Sequence, residues 1–236
     1  MTRGYPDYSV SVGTSAEGAF LGQLAEPPVW YFDGFENPIL KWKLDTSTGG
    51  VVTEPAAPLN SCLPYSGMGC LQMNIAATAE GCGYLYMGIS PLTGKVAVSH
   101  NFALSADATF KDATRAVTLI EIRYYLPNSQ MIIYIYYNPT THELALLDSS
   151  NTYITIGTLN IKPLAWHYFK LIFDPANHKY HTLIIDATTF NISNYEIWMT
   201  SYNADSSLFV RICAIASDTS SASLLIDNFI ITYNES

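Results

Sequence analysis

The sequence predicts an all-β chain, an antiparallel sandwich or barrel folded as a single domain. Three observations carry that expectation. Short runs rich in Val, Ile, Tyr, Phe and Thr recur along the chain, and Asn/Asp/Pro/Ser clusters separate them. No convincing amphipathic helix interrupts the series, which is the pattern of sandwiches and barrels. The 236 residues suffice for one large or two small domains, and sandwiches of this length are commonly one.

In chain order, residues 1–28 are rich in Gly, Ser, Ala and Pro and end in Glu26-Pro27-Pro28, which reads as an arm or linker outside the main core. The domain proper is expected over residues 29–236. Its strand signals begin with Val29–Phe35, Leu40–Leu44, Cys70–Ile75, Gly83–Ile89, Lys95–Leu104 and Ala116–Leu126. They continue with Gln130–Tyr137, Glu143–Leu147, Tyr153–Thr158, Trp166–Phe173, Lys179–Asp186, Leu208–Ser217 and Ser223–Tyr233. Turns are expected at Pro127-Asn128-Ser129, Asn138-Pro139-Thr140-Thr141, Asp148-Ser149-Ser150-Asn151 and Asp174-Pro175-Ala176-Asn177, whose residue types favour turn geometry. A helical turn is conceivable only near Ser105–Asp112 or Asn191–Met199.

Alternation sorts some faces, because successive side chains on a strand point to opposite sides of the sheet. Ile120, Ile122, Tyr124 and Leu126 form an apolar face, with Glu121 and Arg123 on the wet one. Phe169, Leu171 and Phe173 contrast with Lys170 and Asp174 in the same way. The run Gln130–Tyr137 breaks the rule and is apolar on both sides: Ile132, Tyr134 and Tyr136 on one, Met131, Ile133, Ile135 and Tyr137 on the other. One side fills the core, and the other is expected to be covered by protein or sugar.

Composition excludes several functions. A net charge of −9 with 11 Lys and Arg opposes nucleic-acid binding, which draws its affinity from basic groups on phosphates. No basic amphipathic helix suits an anionic membrane, and no apolar run approaches the ~20 residues that span a bilayer. Charged residues are 13% of the chain, about half the usual share, so Ser, Thr, Asn and 17 Tyr supply the polar surface. That suits an extracellular or particle-borne protein. The N-terminus lacks the apolar segment of a secretion signal.

Cysteines stand at 62, 70, 82 and 213, without the CxxC spacing of zinc or redox sites. Cys62 and Cys70 flank a turn-rich loop, so a local disulfide is expected there. Cys213, in an apolar strand, reads as a small buried hydrophobe.

Three segments carry a resemblance: Tyr31-Phe32-Asp33-Gly34-Phe35-Glu36 followed by Leu40-Lys41-Trp42, then Trp166 through Asp174, then Ser223 through Ile231. Together they resemble the jelly-roll sandwiches of the concanavalin A-like, laminin-G-like and carbohydrate-binding-module group. The likeness covers about residues 30–233. It implies a two-sheet jelly roll and, by analogy with some binding modules, a structural calcium joining Glu36 and Asp227, with Asp33 as a further ligand. Calcium takes six to eight oxygens, some of them carboxylate. The segment Arg3-Gly4-Tyr5-Pro6-Asp7-Tyr8 resembles the opening of structural proteins of viruses and phages of bacteria and archaea.

Glycoside hydrolysis needs paired carboxylates, and glucanases of this fold set them on one strand as E-x-D-x-E. Glu121 has no carboxylate two residues away. His100, His142, His167, His178 and His181 are scattered and read as solvent-facing. No phosphate loop or nucleophile elbow is present, so the expectation is a non-enzymatic protein. Tyr rings pack by their faces while offering a hydroxyl. Tyr124, Tyr134, Tyr136, Tyr137, Trp198 and Tyr202 are therefore candidate sugar platforms or subunit contacts, with Tyr65, Tyr125 and Tyr195 behind them.

The leading expectation is a structural component of a virus particle, a homo-oligomer contacting other virion proteins or host-surface glycans, at the virion surface or outside the cell. The alternative is a secreted lectin-like module that binds carbohydrate, with a structural calcium.

Overall fold

The computed structural model describes residues 29–34, 42–45, 52–53, 70–75, 80–88, 94–104, 117–203, 205–216 and 222–235. The expected arm, Glu36, Cys62 and Tyr65 lie outside them. Strands in chain order are β1 (Val29–Asp33), β2 (Lys43–Asp45), β3 (Val52–Thr53), β4 (Leu71–Ile75), β5 (Glu80–Gly88), β6 (Val96–Leu104), β7 (Val117–Leu126) and β8 (Ser129–Asn138). Then come β9 (Glu143–Leu147), β10 (Tyr153–Thr158), β11 (His167–Asp174), β12 (Lys179–Ile185), β13 (Thr188–Asn191), β14 (Trp198–Ser201), β15 (Ser207–Ile215) and β16 (Ala222–Tyr233). No helix occurs among the described residues.

Two antiparallel sheets form. Sheet A runs β13-β12-β11-β6-β16-β4-β3, with β1 also paired to β16. Sheet B runs β10-β9-β8-β7-β15-β5-β2, with β14 also paired to β8. One apolar core joins them: Val98, Phe102, Phe169, Leu171 and Phe229 from sheet A meet Ile122, Ile133, Ile135, Leu146 and Val210 from sheet B. This is the two-sheet antiparallel sandwich that the strand spacing and the motifs around Asp33, His167 and Asp227 implied.

Local chemistry sets the turns. β7 and β8 are joined by Pro127 and Asn128, and Asn128 has φ 67°. Proline fixes its own φ near −65° and asparagine tolerates the left-handed region, the pattern of a type II turn. In the next turn Asn138 Oδ1 accepts from the N–H groups of Thr140 (2.9 Å) and Thr141 (3.2 Å), and His142 has φ 59°. Asp148 does the same for Ser150 (3.0 Å) and Thr152 (2.9 Å). Asp174 accepts from Ala176 and Asn177, both at 3.0 Å. Burial works against its charge, but these donors prevail and hold the carboxyl below the usual carboxylate range.

The doubly apolar strand is β8, and its covering differs from expectation. Met131, Ile133 and Ile135 are 0% exposed and Tyr137 is 1%, all inside the core between the sheets. The other side, Ile132, Tyr134 and Tyr136, is the outer face of sheet B. There Ile132 and Tyr136 are also buried, beneath side chains of this same chain. The case for subunit assembly drawn from this strand therefore falls.

Cys213 also differs from expectation: it is half of a disulfide. Cys82 on β5 and Cys213 on β15 stand directly opposite in register, with Cα atoms 4.2 Å apart, and are bonded. That spacing belongs to a non-hydrogen-bonded antiparallel pair, where side chains come closest. Cys70 is buried, and the expected Cys62–Cys70 bridge lies outside the described residues. The segment Asn191–Met199 holds the end of β13, a turn and the start of β14, not a helical turn.

Candidate functional site

The outer face of sheet B is built by strand alternation. Register places Glu121 opposite Tyr134 and Arg123 opposite Ile132 between β7 and β8. It places Arg211 opposite Glu121 between β15 and β7, and Tyr84 opposite Arg211 between β5 and β15. All these side chains share one side of the sheet, because each pair lies at the same point of the pleat.

A groove opens in this face where β8 changes partner. β9 pairs with β8 as far as Ile135, opposite Leu146, and β14 takes over from Ile132, opposite Trp198. Between them the ladder is interrupted. Tyr180, on β12 in the other sheet, reaches across the core to fill the gap. Its hydroxyl donates to Leu147 O (2.8 Å) and accepts from the Tyr134 N–H (3.3 Å). Burial pushes the Tyr180 phenol up, so it stays a neutral donor.

The resulting groove has a volume of about 520 Å³. Tyr134, Tyr136, Tyr153 and Trp198 form its aromatic walls, and Arg211 and Glu80 are its charged lining. The Tyr134 and Tyr136 rings lie parallel, 5.3 Å between centroids and 9° between planes. Tyr153 stands edge-on to Tyr136 at 5.1 Å and 80°. Burial, then the hydrogen bond to Tyr153, pushes the Tyr136 phenol far above its ordinary value.

Beneath these rings lies a charged cluster. Glu121 is fully buried. Its Oε1 accepts from Arg123 Nε (2.7 Å) and from the Tyr134 hydroxyl (2.6 Å), and its Oε2 accepts from Arg211 Nε. The sequence placed Glu121 and Arg123 on a wet face. The face is right, but Arg123, Arg211 and Tyr134 close over the carboxylate and exclude water. Burial opposes the Arg123 charge, yet the Glu121 carboxylate outweighs it and raises the guanidinium further. Tyr134 is pushed up to about 12, by burial first and the adjacent carboxylate second.

Of the residues singled out from sequence, Tyr134, Tyr136 and Trp198 meet in the groove. Tyr124 and Tyr137 do not: both point into the core, at 2% and 1% exposure. The Tyr137 hydroxyl is spent on His142 Nδ1 (3.1 Å) and the Ile161 N–H (3.2 Å). Tyr195 packs partly buried against the core. Tyr202 is exposed on the same face beside Tyr125, 5.0 Å between ring centroids, next to a shallower depression with Asn128, Ser201 and Asn203. Sequence reasoning passed over Tyr153, Arg211 and Glu80. Their strands are not neighbours of β8 in the chain, and only the register unites them.

Asp33 and Asp227 stand on the paired strands β1 and β16, both buried. Asp33 accepts from the Tyr31 hydroxyl (3.1 Å) and Asp227 from the Asn228 N–H (2.7 Å). Glu36, the third expected ligand, lies outside the described residues, and no step below uses calcium. Glu80, Cys82 and Cys213 also converge, but both sulfurs are in the disulfide and lack the thiolate that binds metal.

The histidines are not uniformly solvent-facing. His100 and His167 are buried. His167 Nδ1 lies 2.7 Å from Asp186 Oδ2 and its Nε2 lies 2.9 Å from Lys162 O.

Two layers with an apolar core between them, and an aromatic groove on one outer face, make a two-sheet antiparallel β-sandwich. No known protein family matches the sequence, and no curated protein matches it. Among solved structures, lectin II from Ulex europaeus superposes with a TM-score of 0.50 at 11% identity, over 87% of this chain and 98% of its own. The CBM22-1 xylan-binding domain from Paenibacillus barcinonensis gives 0.43 and 14%, over 87% of this chain and 94% of its own. A sialidase gives 0.48 and 8%, over 83% of this chain, which spans 17% of the length of that enzyme.

Proposed function

We propose that the chain is a non-enzymatic carbohydrate-binding module of lectin type, and that the outer face of sheet B is its binding surface. The observation that carries this is the groove that Tyr134, Tyr153 and Trp198 line beside Arg211, whose guanidinium is held from below by Glu121. Aromatic faces take the C–H faces of a pyranose, and a few fixed polar groups orient its hydroxyls, the usual composition of a small-molecule site. The fold shared with a lectin supports the reading. So does the use made of Glu121: each oxygen is committed to a guanidinium or a phenol, which suits a rigid binding surface better than an acid–base pair. A disulfide is at home in an extracellular protein, and we place the chain there.

The test is a glycan array probed with the full chain, followed by calorimetry on the hits. Tyr153→Ala is expected to weaken binding about tenfold, the loss typical of a central aromatic contact. Tyr124→Phe, inside the core, is expected to leave affinity unchanged. Light scattering is expected to give a monomer. A virus-particle component would show an oligomer, and the strand that suggested one is covered by the chain itself.

A further inference from the structure

Two guanidiniums face one carboxylate on the outer face of sheet B, so the cluster carries one positive charge in excess. Glu121 neutralises either Arg123 or Arg211 but not both. A buried charged group of this kind is costly, and apolar residues of similar volume stabilise a fold as well or better. The sandwich core does not need it, since that core is complete on the opposite side of the same strands.

Arg211 is the member turned to the groove. Its Nε is fixed by Glu121 Oε2, and Glu121 is itself held by Arg123 and Tyr134, so the guanidinium is pre-oriented. Among the described residues its two terminal nitrogens have no protein partner. Those nitrogens form a planar fork that matches a carboxylate with two parallel hydrogen bonds.

We propose that Arg211 reads a carboxylate on the bound glycan, so that the ligand of this groove is an acidic saccharide bearing a uronate. The proposal rests on the carbohydrate-binding reading and narrows it. The ligand carboxylate brings the cluster of Arg123, Arg211 and Glu121 to neutrality. Tyr134, half-buried in the groove, and Tyr153, 37% exposed, supply the stacking surface for the sugar ring. Glu80, the other carboxylate of the groove, pairs with Ile215, four residues along β15 from Arg211; its Oε1 lies 3.6 Å from Cys82 Sγ, and it forms no ion pair with Arg211 among the described residues. The chain as a whole carries −9, so recognition is short-range and no long-range steering assists it.

The experiment is calorimetry of the full chain against a panel of oligouronates, each matched to its carboxyl-reduced neutral form, with sulfated neutral oligosaccharides as a third arm. The acid form is expected to bind at least about tenfold more tightly than its neutral partner, and this margin is expected to shrink with added salt. Arg211→Lys keeps the charge and loses the fork. It is expected to reduce the margin to about threefold or less, with a circular dichroism spectrum and melting curve matching the parent. Equal binding of acid and neutral forms overturns the uronate assignment while leaving the carbohydrate reading standing. Preference for the sulfated arm overturns it in the same way. Binding to none of the three arms overturns both.

Discussion

His100 lies on β6 in the core, 1% exposed, stacked on Phe169 at 4.7 Å between centroids and close to Phe102 and Phe229. Among the described residues neither ring nitrogen has a hydrogen-bond partner. Burial alone lowers its pKa from 6.5 to about 3. The unfolded chain therefore takes up a proton on this imidazole below about pH 6.5, while the folded chain does so only near 3. Between those values the unfolded state binds more protons, and stability falls as pH falls. At 1.36 kcal/mol per pH unit, the loss from this one group between pH 7 and pH 4.5 is about 2.5 kcal/mol. His100→Leu removes the titration while keeping an apolar side chain of similar size. Urea unfolding of both proteins at the two pH values isolates the effect, because every other titrating group is common to them. At pH 7 the variant is expected to match or exceed the parent, since two unsatisfied polar atoms are gone. At pH 4.5 its advantage is expected to grow by about 2.5 kcal/mol. Parallel pH profiles, within about 0.5 kcal/mol, would refute the reasoning and show that the imidazole finds a proton-compatible partner in the folded state.

Breaking the cross-strand bridge with Cys213→Ala in a Cys82→Ala background is expected to cost about 3–5 kcal/mol. The bridge closes a loop of 131 residues, for which chain entropy alone gives about 5 kcal/mol. Guanidinium unfolding with and without a reductant checks it, and a reduced parent protein matches the double variant. Glu121→Gln leaves two guanidiniums, each about a third exposed, without their counter-charge, and a loss of about 1–3 kcal/mol is expected by the same measurement. Tyr180→Phe removes the hydroxyl that bridges Leu147 O and the Tyr134 N–H. It is expected to cost about 1–3 kcal/mol and to weaken glycan binding through the groove geometry, seen as a shared loss in melting temperature and affinity.

The fold was legible in the sequence wherever the determining interactions are local. Asn138, Asp148 and Asp174 each accept hydrogen bonds from N–H groups two to four residues on, so their turns are written in adjacent residues. Alternation in Val117–Leu126 gave the correct inward set, Ile120, Ile122 and Tyr124, because that strand has one apolar side. In β8 the same rule had nothing to act on. Both sides were apolar, and only the pairing with β7 and β9 decided that Met131 and Tyr137 face the core while Tyr134 and Tyr136 face out. The Cys82–Cys213 disulfide was missed for a related reason: the two cysteines stand 131 residues apart and meet only through the β5–β15 register.

Glu121 shows how much of the site lay beyond reach. Alternation assigned it to the outer face, and an outward charge on a strand is ordinarily solvated. One part of its burial was visible in the chain, since Arg123 two residues on shares its side and donates to it. The other donor, Arg211, lies 90 residues away, and no local pattern connects the two. The third, Tyr134, belongs to the hairpin partner of the same strand. Water is excluded only when all three are in place, so the environment of Glu121 is a property of the assembled sheet. A cluster so assembled cannot form early on a local segment. Its cost falls on the complete sandwich, on the one face where a ligand carboxylate can offset the surplus charge.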